Sequence, residues 1–247
     1  MMPRPHAAVL ATDLDRTFTT PELRLDPAAL LAARSLRRRG IRLVLATGRP
    51  QALLPELQVL EPLFDGFIVE GGAMWGRPGG WTLPARHTAG VHGLAAALTE
   101  LGVDVRPGLA SFSIPRRAES LLSGRPELAH CTIHPNRDRI DIVPSGIGKG
   151  VALRQLLATW DPPVQPVVAI GDGENDLDLL FAAEHGVAVA NAVPALRKVA
   201  HEVTPGPSSQ GFVWLADQLL PPMPEDLVHV DGGRRRAAKG RAKSSTV

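Results

Sequence analysis

Five short apolar runs, 7–12 (AAVLAT), 41–46, 67–70, 167–170 and 187–190, alternate with helical patterns along this chain. That alternation is the signature of parallel βαβ construction, because parallel strands are buried on both faces and need a crossover helix between them. The helical patterns cover 27–39, 50–60, 149–160, 174–184 and 211–220. The first is the best marked: Asp26 stands at an N-cap with Pro27 at the first helical position, and Gly40 follows three basic residues that suit a helix C-terminus. The expected fold class is α/β: a Rossmann-like parallel sheet with helices on both faces. One stretch breaks the alternation. Residues 79–144 carry their own helix, 88–101, followed by short strand patterns at 111–114, 131–134 and 139–143, which read as a small inserted α+β unit.

The expected division is therefore a core of 1–78 and 145–222, a cap of 79–144, and a Pro-rich, then basic, disordered tail of 223–247. Of 247 residues, 44% are hydrophobic and 21% charged, which excludes a disordered chain. Cys131 is the single cysteine, so there is no internal disulfide framework and no CxxC zinc or redox motif, and a reducing, cytoplasmic location is expected. No apolar run nears the roughly 18 residues that span a bilayer, and residues 1–6 hold no secretory signal, so no membrane partner is expected. The tail from Asp231 to Val247 holds six basic residues and one acid, leaving the rest with 21 basic against 24 acidic groups. A body of that balance is a poor nucleic-acid binder, and only the tail argues otherwise.

Chemistry collects where strands end. Asp13-Leu14-Asp15-Arg16-Thr17 follows the first run, and two carboxylates there suffer desolvation and mutual repulsion that a divalent cation relieves. Thr47-Gly48-Arg49 follows the second run and offers a hydroxyl and backbone N–H groups to a phosphate oxygen. Gly148-Lys149-Gly150 places a lysine at a helix start; it is not a Walker loop, because Gly150 stands where Ser or Thr is required. Gly171-Asp172-Gly173-Glu174-Asn175-Asp176 crowds three carboxylates into a turn after the fourth run. Singly, each of these is an ordinary turn, cap or surface lysine. Together they converge on the C-terminal ends of parallel strands, where open α/β sheets bind ligands.

These segments resemble the haloacid dehalogenase (HAD) superfamily of phosphohydrolases, through ATDLDRTFT at 11–19, LATGR at 45–49, GKG at 148–150 and GDGENDLDLL at 171–180, with GVAVANAVPALRKVAHEVT at 186–204 resembling the last strand and helix. The insert position resembles the branch with an α/β cap between the third strand and the lysine (Cof-like, sucrose-phosphatase-like and archaeal phosphoglycolate-phosphatase-like enzymes). The resemblance implies Asp13 as nucleophile and Asp15 as general acid and base. It implies Thr47 and Lys149 as phosphoryl-binding groups and Mg2+ as cofactor. The metal set would be Asp13, Asp15 through its carbonyl, Asp172, and Asp176 directly or through hydrogen bonds to the other ligands. The substrate would be a small phosphorylated metabolite, a sugar phosphate or phosphoglycolate-like ester. Two positions depart from the family pattern: Arg16 stands where glycine is usual, and Gly71-Gly72 where the branch often has Asn-Gly. Arg16 could narrow the entrance or bind a substrate carboxylate.

In the cap, His130 and His134 are about 13 Å apart if they lie on a strand, too far to share an ion. His134, Asn136, Arg137 and Arg139 are the candidates for substrate contact, with Arg139 and His134 foremost. Other readings share part of this pattern. A phosphosugar mutase or phosphotransferase would use the same aspartyl-phosphate. A phospho-receiver module also combines an acid pair, Thr and Lys, but needs about half this length and no second acidic cluster.

Overall fold

The structure, a computed structural model, describes residues 7–220 except 51, 53, 56, 78 and 84–87. The tail 223–247 and residues 1–6 lie outside the described residues. The larger sheet contains β1 (Val9–Asp13), β2 (Arg42–Ala46), β3 (Gly66–Val69), β4 (Met74–Arg77), β5 (Gly80–Thr82), β10 (Val167–Gly171), β11 (His185–Ala188) and β12 (Glu202–Val203). Its order is β12-β11-β10-β1-β2-β3-β4-β5, parallel from β12 to β3 and antiparallel through the β4–β5 hairpin. β1 is wholly buried at the centre; Thr12 lies opposite Leu45 and Ile170, and Asp13 opposite Ala46. That register brings Asp13, Thr47 and Asp172 to one edge of the sheet, the edge on which ligands collect at a switch in strand order.

Helices cover both sides of this sheet. α1 (Pro27–Arg38) packs on α7 (Ser208–Leu219), and α4 (Lys149–Ala158) on α5 (Leu177–Phe181). The α1 cap is as expected: Asp26 accepts a hydrogen bond from the Ala28 N–H at 2.8 Å. Phe18, beyond the first acid pair, sits edge-on to Phe64 and Phe212 and anchors the loop after β1 in the core.

The smaller sheet has the order β6-β7-β9-β8, all antiparallel, from β6 (Arg106–Pro107), β7 (Phe112–Pro115), β8 (Cys131–Asn136) and β9 (Arg139–Pro144). α3 (Thr88–Glu100) closes one face with Val91, Leu94 and Leu98 on Phe112, Ile114, Ile140 and Ile142. Strand alternation then turns Ser113, Arg139 and Asp141 to the other face, toward the large sheet.

Three expectations change. The boundary at residue 79 falls within the β4–β5 hairpin: β5, read with the insert, is an edge strand of the large sheet. The helix expected over 50–60 is reduced to α2 (Leu57–Leu60) among the described residues, because Pro55 lacks an N–H and its ring clashes with the preceding turn. The helix expected over 174–184 begins as a tight turn at Glu174–Asp176 and ends at Phe181, with β11 starting at His185. The side chain of Asp176 is drawn back to the N–H groups of Asp172 and Gly173, which holds that turn tight.

Candidate active site

Lys149 organises the floor of the site. It is the first residue of α4, is 1% exposed, and donates to Asp13 Oδ1 at 2.7 Å and Asp176 Oδ1 at 2.6 Å. The turn before it packs against the Gly71-Gly72 corner; a Cβ on Gly72 would lie 2.3 Å from the Gly148 carbonyl oxygen, so no larger residue fits. Asp176 Oδ2 accepts from the Asp172 and Gly173 N–H groups, both at 2.9 Å, and Asp178 accepts from the Gly150 N–H at 2.9 Å. The two glycine-bearing turns are thereby tied to each other.

Ligand oxygens of Asp13, Asp172 and Asp176 all lie within 4.8 Å of one another, and all three residues are buried. Burial and the neighbouring charges of Asp176, Asp172 and Asp15 push the Asp13 pKa well above the carboxylate range, against the pull of Lys149. Burial and Asp176 raise that of Asp172 to about 6, opposed by Arg137 and Lys149. Burial alone would lower the Lys149 pKa, but Asp13 and Asp176 outweigh it and raise it above its usual value. Lys149 pairs with two of these carboxylates and Arg137 with the third, so three acids meet two cations and the floor carries surplus negative charge. Asp13 Oδ2 is buried without a hydrogen-bond partner, and a buried acceptor in that state is rare. An unused carboxylate oxygen inside an all-oxygen acidic cluster fits a hard divalent cation such as Mg2+.

The loop after β1 turns sharply: the Thr19 N–H donates to the Leu14 carbonyl at 2.9 Å, and Arg16 adopts φ +59°. Asp15 faces Arg49, which donates through Nε at 2.8 Å and through Nη2 in a two-pronged ion pair. Thr47 is buried, and its hydroxyl accepts from the Arg49 N–H at 3.1 Å.

Two joined cavities lie above this floor. A small one of about 20 Å³ is lined by Asp13, Asp172, Asn175 and Arg137. A larger one of about 310 Å³ lies between the two sheets and is lined in part by Ser113, Arg139 and Asp141. Asp15, Arg16, Gly48 and Asn136 line both. The smaller sheet thus reaches the site through the tip of the β8–β9 hairpin, where Arg137 donates to Asp172 through Nε at 2.9 Å and through Nη2, and to the Asn191 carbonyl at 3.0 Å. Of the two foremost cap candidates, Arg139 lines the larger cavity, its guanidinium held by Asp104 at 2.8 Å and the Ser113 hydroxyl at 3.0 Å. His134 lines neither cavity; its Nε2 is 3.0 Å from the Ile147 carbonyl oxygen.

Sequence reasoning missed three residues. Arg49 ends the Thr47-Gly48-Arg49 motif, which assigns it no role, yet it orients Asp15. Buried Asp141 lies under the Thr47-Gly48 turn, accepts from Asn136 at 3.0 Å, and has its pKa raised by burial. Glu70, beyond β3, is buried and accepts from the Leu109 and Ala110 N–H groups at 2.8 Å and from the Ser111 hydroxyl at 3.0 Å, latching the two sheets together. The available signal was an acid directly after an apolar strand, and it named no partner.

Comparison with known proteins matches this geometry. A family model described as haloacid dehalogenase-like hydrolase matches residues 122–215. A phosphoglycolate phosphatase of Pyrobaculum aerophilum is 31% identical over 220 residues, 86% of this chain and 95% of that protein. One from Methanospirillum hungatei is 29% identical over 225 residues, 85% of this chain and 95% of that protein. A haloacid dehalogenase-like hydrolase from B. subtilis superposes with a TM-score of 0.73 at 18% identity, over 86% of this chain and 100% of that one, a likeness of fold. The strand-end acids, the buried lysine and these full-length matches lead to one conclusion: the chain belongs to the haloacid dehalogenase-like hydrolase family.

Proposed function

We propose that this protein is a magnesium-dependent phosphomonoesterase that hydrolyses a small phosphorylated metabolite, phosphoglycolate-like or a sugar phosphate, through an aspartyl-phosphate on Asp13. The observation that carries the reading is Lys149, buried between Asp13 and Asp176, with Asp13 lining a small cavity that shares four wall residues with a larger one. The two relatives named phosphoglycolate phosphatase, matched over 95% of their own lengths, support the substrate class.

Asp13 supplies the attacking oxygen: its bond to phosphorus forms as the ester P–O bond breaks. In its protonated form Asp15, on the wall shared by both cavities, gives a proton to the departing alkoxide; as the carboxylate, the form that pairs with Arg49, it then takes one from the water that releases phosphate and frees Asp13. Arg49 keeps the Asp15 carboxyl turned to that wall. Lys149 offsets charge on the phosphoryl oxygens, and Thr47 supports the turn beside them. Asp13, Asp172 and Asp176, with the Asp15 carbonyl, would hold Mg2+, which when bound neutralises phosphoryl charge and the surplus charge of the floor. In this division, core residues do the chemistry and the smaller sheet meets the leaving group.

Asp13→Asn keeps the shape and removes the anionic oxygen. Phosphate release from 2-phosphoglycolate and p-nitrophenyl phosphate should fall to background with the circular dichroism unchanged. Acid-quenched wild type should carry phosphate on the Asp13 peptide. Activity within about tenfold of wild type would overturn the nucleophile assignment.

A further inference from the structure

Arg16 occupies a costly backbone position in the acid loop. Its φ of +59° lies in the left-handed region, which glycine occupies freely and a side chain with a Cβ does not. Its backbone is fixed on both sides: the N–H donates to Thr19 Oγ1 at 2.9 Å, and the carbonyl accepts from Asn191 at 3.3 Å. The half-buried side chain lines both cavities.

Three other arginines that line the site are committed, Arg49 to Asp15, Arg137 to Asp172, and Arg139 to Asp104 and Ser113, while Arg106 stands exposed on the wall of the larger cavity. Among the described residues no carboxylate pairs with the Arg16 guanidinium. The two exposed charges on the larger cavity's wall, Arg106 and Asp138, are opposite in sign. The remaining acid there, Asp141, is held toward its neutral form by burial. Among the described residues, then, the Arg16 charge is unpaired, on a wall common to the small and the larger cavity.

We infer that Arg16 is a specificity-determining residue whose guanidinium receives an anionic group carried by the leaving group, a carboxylate or a second phosphate. The inference rests on the phosphatase reading and deepens it. A planar guanidinium matches either anion in a two-pronged hydrogen-bonded pair. The cavity of about 310 Å³ is at the small end for ligand sites, so the anion sits on a short chain.

The test uses magnesium-loaded wild type, Arg16→Gly and Arg16→Lys. Glycine suits the positive φ and removes the charge, while lysine keeps the charge without the fork. Two matched pairs separate the anions: 2-phosphoglycolate against 2-hydroxyethyl phosphate, and propane-1,3-diol bisphosphate against its monophosphate. The quantity read is the ratio of kcat/KM within each pair. In parallel, calorimetry gives the same ratio as Kd values on the Asp13→Asn background, where turnover does not intervene. Arg16→Gly should lower the ratio by about tenfold to a hundredfold in one pair, with Arg16→Lys intermediate. Loss in the first pair names a carboxylate, and loss in the second a phosphate. An unchanged ratio in both pairs overturns the inference, as does an equal loss on all four esters, which would put Arg16 on the transferred phosphoryl group. If wild type turns over none of the four esters but the Kd ratio depends on Arg16, the phosphatase reading fails and the anion site stands. Turnover without an Arg16-dependent ratio is the reverse.

Discussion

The floor and the roof of the site handle charge in different ways. On the floor, Asp13, Lys149 and Asp176 are at most 4% exposed, are rooted at strand ends and a helix start, and are hydrogen-bonded to one another directly. On the roof, charge rides on long arginine side chains of the smaller sheet, Arg137 held by three side-chain hydrogen bonds and Arg139 by four, with Asp104 exposed. A dry floor fixes positions because each unpaired charge there is expensive. A wet roof leaves room for adjustment, since half-exposed pairs contribute little. Substitutions on the floor should therefore abolish turnover, and those on the roof should redirect it.

The largest effect that would sharpen this contrast, after loss of the nucleophile, is expected from Lys149→Ala. Its kcat/KM should fall by about 2–4 kcal/mol of transition-state stabilisation. The protein should also lose roughly 3–5 kcal/mol of stability, because two buried carboxylates lose their partner. Lys149→Arg should not restore wild-type rates, since the bulkier guanidinium does not fit a point-charge site. Equal kinetics for Lys149→Ala and wild type would break the comparison.

Metal comes next. Chelation should stop turnover, Mg2+ should restore it, and Ca2+ should do so poorly because its looser coordination disturbs in-line geometry. The pH dependence has a defined sign. Asp172 titrates at about 6 in the fold. An unfolded aspartate titrates at about 3.9, so the metal-free protein binds this proton more tightly when folded. That stabilising contribution is fully present below about pH 4 and is lost as pH rises through about 6. The rise in melting temperature on adding Mg2+ should accordingly be larger at pH 7.5 than at pH 5; an equal rise at both would argue against the acidic cluster as the metal site.

Glu70→Gln tests the latch between floor and roof. Replacing a carboxylate that accepts from Leu109, Ala110 and Ser111 should cost about 1–3 kcal/mol, read by denaturant unfolding. The smallest effects are expected on the roof itself. Arg139→Ala should change the preference among esters more than the rate on p-nitrophenyl phosphate, and His134→Ala should change it less, because His134 lines neither cavity. A uniform loss across all esters from either substitution would show that the roof supplies catalytic groups.

The same contrast governs what the sequence discloses. Floor residues were legible because the aspartates follow short apolar runs and Lys149 opens a helical pattern, so the element end and the chemistry are read in one stretch of chain. The pairs Arg49–Asp15 and Arg137–Asp172 join residues 34 and 35 positions apart, and no local pattern marks them. The β4–β5 hairpin was missed because strands of four and three residues, interrupted by Gly76 and Gly79, show no usable alternation. Of the helix expected after Pro50, the described residues form an α-helix only over Leu57–Leu60, beyond Pro55, whose ring works against the apolar spacing around it.

Gly48 lies against Asp141 so closely that a Cβ there would come within 2.6 Å of the carboxylate oxygen. At this point the two sheets meet through bare backbone on one side and a buried acid on the other. A single methyl group at this position would act as a doorstop, holding the roof away from the floor without touching any group that performs chemistry. Water would enter through the gap, and the leaving group would lose its fit while the reactive acids kept theirs. The absence of a side chain at Gly48 works as a spacer gauge: it sets how closed the enzyme is when it is shut.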